Sequence, residues 1–346
     1  MRIAIVNDNA MAIEALRRIV LELAGAQLAW IARDGADAVE QCRQDTPDLI
    51  LMDLMMPVMD GAEATRRIMA QSPCPILVVT ATVEGHSGKV FEALGAGALD
   101  VVQTPLANSN QSRGGAGLRF KINAVGRMAA GEKSERQRTL SAAGDPPAAP
   151  APTDRLIAIG ASAGGPATLA AILGGLPRDF PAAIVIVQHV DAQFVPLMAG
   201  WLHHRTALSV QIAREGDQPQ SGTALIAGTN EHLVLLKSQS LKYTPEPRDC
   251  CYRPSIDVFF QSAAAYWKGE LVGVLLTGMG RDGASGLKRI RDGGSLTLAQ
   301  DSSSCAVYGM PKAAAELNAA VKILNVNGIT KSLIDFATAG KPVRQE

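Results

Sequence analysis

The chain has 346 residues, 47% of them hydrophobic, with 33 basic side chains against 33 acidic ones. That length suits about two domains with full cores. Zero net charge and only 4% aromatic residues exclude a general affinity for nucleic acid. None of the five cysteines forms a C-x-x-C pair, no run of about 18 apolar residues occurs, and the opening MRIAIV reads as a strand rather than a leader. The expectation is a cytoplasmic protein with reduced thiols and no membrane insertion.

Ile3–Val6 is a short apolar strand ending in Asn7-Asp8. Ala12–Leu23 follows with helical spacing of Ile13, Leu16, Ile19, Val20 and Leu23. The alternation then repeats. A strand at Leu28–Ala32 precedes a helix at Gly35–Gln44, and a strand at Leu49–Met52, ending in Asp53, precedes a helix at Gly61–Ala70. Ile76–Val79 ends in Thr80 before a helix at about Ser87–Leu94, and Leu99–Val102 runs into Thr104-Pro105. Repeated βα units predict a doubly wound, five-stranded parallel sheet of the flavodoxin-like kind, with its site at the carboxyl ends of the strands. Asp8, Asp53 and Thr80 fall at such ends. Two carboxylates side by side suit Mg²⁺, and the metal lets Asp53 attack a phosphoryl group.

Asn7-Asp8, the block LILMDLMMPVMDG and Thr80 resemble the receiver domain of two-component response regulators, over residues 1 to about 105. The resemblance implies that Asp53 is the phosphoacceptor, Asp8 a Mg²⁺ ligand with Asp53, and Thr80 the switch hydroxyl. Three positions depart from the pattern. Thr104 stands where receivers usually carry Lys, Val101 where they often carry an aromatic residue, and Asn7 where a second Asp is usual. The competing reading is a receiver-like scaffold that is no longer phosphorylated.

Residues 106–153 change character. Asn108–Gly117 is polar and glycine-rich, Leu118–Met128 reads as a short linker helix, and Asp145–Pro152 (DPPAAPAP) reads as a stiff tether. Residues 113–138 hold seven basic and two acidic side chains. They suit a solvated linker, or a dock for an acidic receptor surface.

From 154 to 346 a second α/β domain, doubly wound and mostly parallel, is expected. Leu156–Gly160 is a buried strand, followed by Ala161-Ser162-Ala163-Gly164-Gly165 and Pro166 just inside a helix. Gly160 to Gly164 spells G-x-S-x-G, a turn that lifts a serine clear of the sheet. Small residues after a strand also cradle phosphates, but no Lys follows this turn and no acidic residue sits about 20 positions on. Ala182–Val187 ends at Gln188-His189. Leu271–Leu276 ends at TGMGRDG, with Asp282 before a helix at Ala284–Arg291. In a parallel sheet these three ends share one rim. Ser162 is therefore the candidate nucleophile, His189 its base and Asp282 the orienting acid.

Backbone N–H groups of Ala163 and of the Gly278–Gly280 loop, Met279 among them, are candidate oxyanion donors. Asp301, at another strand end, is the runner-up acid. Asp191 shares a loop with His189, and Asp257 suits a helix start capped by Ser255. His86, His203, His204 and His232 lack the strand-end placement. The order Ser, His, Asp argues against an α/β-hydrolase fold. Strands at Gly222–Ala227 and His232–Leu236, with Leu241–Tyr243 closing a hairpin, suggest a mixed sheet, and Met310–Leu317 and Ile329–Ala337 suggest helices.

The stretches IGASAGGP, IVQHV, YRPSIDVFF, LLTGMGRDGASGL and AQDSSSCAVYGMPKAA resemble the catalytic domain of CheB-type protein-glutamate methylesterases, over residues 154–324 behind a receiver. The resemblance maps the triad onto Ser162, His189 and Asp282. It implies hydrolysis of γ-glutamyl methyl esters on the cytoplasmic helices of methyl-accepting chemotaxis-type receptors, with release of methanol and often deamidation of glutamines. It further implies a CheA-type histidine kinase as phosphodonor, no cofactor for the esterase, and an unphosphorylated receiver that covers the active site. VNDN and ALDVV-x-TP are shared with the methylesterases of Wsp-type surface-sensing systems. The alternative is a response regulator whose second domain binds a partner without catalysis. A DNA-binding output finds no basic recognition face after residue 154.

Overall fold

A computed structural model describes residues 1–80, 87–105, 113–129, 153–250 and 252–339. The chain divides into two compact units, Met1–Ser134 and Glu135–Glu346.

In the first unit β1 (Arg2–Val6), β2 (Gln27–Ala32), β3 (Leu49–Met52), β4 (Ile76–Thr80) and β5 (Asp100–Gln103) alternate with α1 (Ala10–Glu22), α2 (Gly35–Gln44), α3 (Gly61–Gln71), α4 (Ser87–Gly95) and α5 (Arg113–Ala129). Side-chain carboxamide or carboxylate oxygens of Asn9, Asp34 and Asp60 accept the free N–H groups that open α1, α2 and α3. The strands pair in parallel in the order β2-β1-β3-β4-β5, so the order reverses between β1 and β3. β3 and β4 are buried along their whole length, as strands covered on both faces must be.

The first unit runs past the boundary expected at 105. The presumed linker helix is its fifth helix. Leu118, Ile122 and Val125 of α5 are buried, and Lys121 ion-pairs with Asp100 at 2.7 Å and donates to the Val101 carbonyl. The spacing 118, 122, 125 was readable, but a polar, glycine-rich lead-in disguised it. The tether Asp145–Pro152 and His86 lie outside the described residues.

In the second unit β6 (Arg155–Ala161), β7 (Ala183–Gln188), β8 (Ser209–Ile212), β9 (Thr223–Ile226), β12 (Glu270–Leu275), β13 (Leu296–Gln300) and β14 (Lys322–Leu324) form one sheet in the order β14-β13-β12-β6-β7-β9-β8. Every pair in it is parallel. The expected mixed sheet is corrected here. β10 (His232–Leu235) and β11 (Leu241–Thr244) pair with each other in a separate antiparallel ribbon, closed by a turn with Gln239 at φ +68°. Helices α6 (Gly165–Gly174), α7 (Val195–His203), α8 (Ile256–Tyr266), α9 (Ala284–Asp292), α10 (Met310–Glu316) and α11 (Val326–Thr338) complete the unit. Phe259 and Phe260 of α8 and Leu287 and Ile290 of α9 are wholly or almost wholly buried in one cluster with Leu156, Val185 and Leu275 of the sheet. Burying such side chains contributes about 1.5–3 kcal/mol each, which fixes α8 and α9 beside the central strands.

Candidate active site

The centre of the sheet sets the geometry. β6 lies between β12 and β7, with Gly160 opposite Leu275 and Ala161 opposite Gln188. Ser162 and His189 therefore leave neighbouring strand ends side by side, and the His189 N–H donates to the Ala161 carbonyl at 3.0 Å. The Ser162 backbone is pinned. Its N–H donates to the Thr277 carbonyl (3.0 Å), and its carbonyl accepts from the Gly165 N–H (2.8 Å) and from Gln188 Nε2 (2.8 Å). Close packing calls for glycine both in this turn and on the loop after β12. Gly164 sits at φ +74°, and a Cβ on it would lie 2.4 Å from Ala306 Cβ. A Cβ on Gly278 would lie 2.7 Å from Ser162 Cβ. Ser162 is 6% exposed, and its Oγ makes no hydrogen bond among the described residues.

His189 Nε2 lies 2.8 Å from Asp282 Oδ2. An ionised carboxylate accepts only, so Nε2 carries the proton and Nδ1 is left as the basic nitrogen. Nδ1 is buried and has no hydrogen-bond partner among the described residues. Asp282 is held from a second side by the start of α8. Its oxygens accept the N–H of Ile256 (2.7 Å), the N–H of Asp257 (3.1 Å) and the Ser255 hydroxyl (2.8 Å). Burial pushes this carboxyl up, but the His189 hydrogen bond and charge, with those N–H groups, outweigh it and hold it below its ordinary value. The N–H groups of Ala163 and Met279, at the two expected oxyanion positions, donate no hydrogen bond among the described residues.

The other carboxylates are engaged elsewhere. Asp191 caps a short 3-10 turn, Asp301 accepts from the Ser304 N–H and from the hydroxyls of Ser303 and Ser304, and Asp257 accepts from the Gly286 N–H at 2.6 Å. Burial, with the charge of Asp282 adding to it, pushes Asp257 up to about 6. Sequence reasoning missed two neighbours. The Tyr252 ring stacks on the His189 ring at 4.4 Å between centroids. His232 is fully buried, accepts the Ser255 N–H on Nδ1 (3.0 Å) and faces the Pro247 carbonyl with Nε2 (3.0 Å). Both contacts join segments far apart in the chain, so no local spacing signals them.

In the first unit Asp8 and Asp53 follow the paired ends of β1 and β3. The Asp53 N–H donates to the Val6 carbonyl, and its Oδ1 accepts the Leu54 N–H at 2.7 Å. Burial, with a smaller contribution from the charge of Asp8, overcomes these N–H contacts and pushes the Asp53 carboxyl up to about 6. A Cβ on Gly61 would lie 1.9 Å from the Asp53 carbonyl oxygen, so the DG pair closes tightly on the site. Thr80 ends β4 and is buried, and its carbonyl accepts the Thr104 N–H at 2.9 Å. Thr104 Oγ1 is buried without a hydrogen-bond partner among the described residues. Val101 is also buried. Asn7 Oδ1 accepts the Asn9 N–H at 2.8 Å. A buried carboxyl raised by desolvation, beside a second carboxylate, fits a hard divalent cation that keeps part of its water. Among the described residues no cluster of three or more His, Cys, Asp or Glu forms a metal site.

Fold and sites thus define a two-unit protein in which a receiver-type sheet with a strand-end carboxylate precedes an α/β sheet with a hydrolase-like rim. Residues 157–333 match the CheB methylesterase family and residues 3–111 the response regulator receiver domain. The chain is 54% identical to a protein-glutamate methylesterase/protein-glutamine glutaminase of Mesorhizobium japonicum, covering 97% of this chain and 98% of that one. It is 55% identical to a protein of the same description from Pseudomonas aeruginosa, covering 97% and 99%. The crystal structure of the Thermotoga maritima CheB methylesterase catalytic domain aligns with a TM-score of 0.50 at 33% identity, covering 52% of this chain and 97% of that one. The chain belongs to the CheB methylesterase family, carboxylic ester hydrolases here preceded by a receiver domain.

Proposed function

We propose that this protein hydrolyses γ-glutamyl methyl esters on the cytoplasmic helices of methyl-accepting chemotaxis-type receptors, under control of its receiver, and deamidates receptor glutamines at the same site. The observation that carries the reading is the His189–Asp282 pair at 2.8 Å, on the strand end adjoining Ser162. Ser162 Oγ attacks the ester carbonyl carbon while its proton passes to His189 Nδ1. Asp282 stabilises the imidazolium, and the N–H groups of Ala163 and Met279 receive the oxyanion. Collapse breaks the acyl C–O bond, and the imidazolium returns its proton to the departing methoxide as methanol. Water then gives a proton to Nδ1 as its oxygen attacks the acyl-enzyme, and collapse breaks the acyl C–Oγ bond, returns that proton from Nδ1 to Ser162 Oγ and releases the glutamate side chain. With glutamine, ammonia leaves in place of methanol.

Asp53 is assigned as the phosphoacceptor and Thr80 as the hydroxyl that turns toward the phosphoryl group, with a CheA-type histidine kinase as donor. Asp8 and Asp53 would hold Mg²⁺, which when bound offsets the negative charge of the transferring group. Asn7-Asp8-Asn9 and Thr104-Pro105 support adaptation of a Wsp-like chemosensory pathway as the setting, and the cytoplasm as the place. No described helix is long and apolar enough to cross a membrane. Methanol release from methylated receptor membranes tests the reading. Release by the wild-type chain and none by a folded Ser162→Ala chain is the expected result, and equal release by both contradicts it.

A further inference from the structure

The site leaves one contact unexplained. Tyr252 and His189 are stacked with planes 3° apart and centroids at 4.4 Å. The far end of the same phenol rests on the next loop. A Cβ on Gly280 would lie 2.5 Å from Tyr252 Oη, and Gly280 is held at φ +80°. Gly280 adjoins Met279, whose N–H donates no hydrogen bond among the described residues. The ring therefore spans from the imidazole to the loop that carries an oxyanion donor. Three residues on, Ser255 grips Asp282 through its hydroxyl and is itself held by His232. A single short segment thus touches the base, the acid and the oxyanion loop.

We infer that Tyr252 is a positioning residue for ester hydrolysis: its ring fixes the His189 plane so that Nδ1 faces Ser162, and it seats the Gly278–Gly280 loop against the same face. This rests on the proposed esterase reading. Two physical effects support the role. An imidazole whose Nε2 is tied to Asp282 can still rock about that hydrogen bond, and a parallel ring against its face removes that freedom. The electron-rich face also attracts the ring when it becomes cationic in the transition state, an effect of about 0.5–2 kcal/mol for cations over aromatic rings. Among the described residues, Asp282 on the loop after β12 is the charged group held against the imidazole, and replacing Tyr252 leaves it in place.

The test uses the full-length chain and methanol release from methylated receptor membranes, with kcat and KM measured for each variant. Ser162→Ala serves as the control, because its loss of activity shows the esterase reading to stand independently of Tyr252. Tyr252→Leu is expected to lower kcat by about 10- to 100-fold with KM within twofold. Tyr252→Phe keeps the ring and is expected to recover activity to within about threefold. A folded Tyr252→Leu chain with kcat within twofold overturns the inference, as does Tyr252→Phe falling as far as Tyr252→Leu. Should Tyr252→Leu not fold, Gly280→Ala decides. Its loss of kcat is expected to shrink at least threefold in the Tyr252→Phe background, where the crowded hydroxyl is gone, and an undiminished loss overturns the inference.

Discussion

Asp282 and Asp53 occupy the same kind of place, the carboxyl end of a parallel strand beside the point where strand order reverses, yet their carboxyls move in opposite directions. Both are largely buried. Asp282 is surrounded by donors: an imidazole N–H, two backbone N–H groups at a helix start and a hydroxyl. Those contacts outweigh its burial and hold the carboxyl below its ordinary value. Among the described residues Asp53 has backbone N–H contacts, an acidic neighbour and no paired cation: Lys89 pairs with Asp60 at 2.8 Å, and Thr104 stands where a lysine is usual. Desolvation wins there, and the carboxyl rises to about 6. The difference is between a carboxylate whose partners lie within its own chain and one that, on the proposed reading, would be completed by a metal and a phosphoryl group. Topology supplies the location in both, and only the local donor count decides what the carboxylate can do.

The complete site should be the more fragile to single changes. Ser162→Ala is expected to reduce ester hydrolysis by at least ~10³-fold with the fold intact, measured as methanol release by a chain with unchanged thermal unfolding. Asp282→Asn should come next, with a loss comparable or somewhat smaller because the three groups act as a unit. Asp301→Asn, in a loop closed by its own serines, should stay within about threefold. A reversal of those two would assign the acid to the wrong strand end.

The incomplete site should show itself in regulation and stability. If the receiver restrains the esterase, residues 154–346 alone should turn over faster than the unphosphorylated full chain, by about 5- to 150-fold for a coupling of ~1–3 kcal/mol, and ignore a small phosphodonor. A folded fragment that is no faster than the full chain points to activation rather than restraint. The smallest effect is on stability. The folded carboxyl of Asp53 binds its proton up to about pH 6, whereas an ordinary aspartate loses its proton near 4. Stability contributed by this group is therefore undiminished below about pH 4, falls as pH rises through 6, and stays low above it. Asp53→Asn should stabilise the first unit by about 1–2 kcal/mol at pH 7.5, after allowance for partial exposure, and by almost nothing at pH 4. Thermal unfolding at the two pH values reads this directly.

Much of this was legible in the sequence because parallel strands declare themselves. AIVIV, LVGVL and LIAIG are apolar runs buried on both faces, and the residue types that follow them mark the rim. Ser255 was readable as a helix cap, and it accepts the Val258 N–H. Its second task, donating to Asp282 across 27 residues, was not, because that contact depends on how α8 packs against β12. Tyr252 and His232 were hidden for the same reason. Strands β8 and β14 were missed because they are short edge strands with exposed residues and lack the apolar run. The end of the first unit was misplaced because the buried stripe of α5, Leu118, Ile122 and Val125, is interleaved with basic residues and glycines.

The most direct test of the central claim, that Ser162 is the nucleophile armed by His189 and Asp282, is labelling of the full-length chain with a fluorophosphonate followed by intact mass and peptide mapping. One adduct per chain on Ser162 is expected, absent from Ser162→Ala and formed much more slowly by His189→Ala. Labelling at another residue, or none on a folded wild-type chain that still hydrolyses the ester, would contradict it.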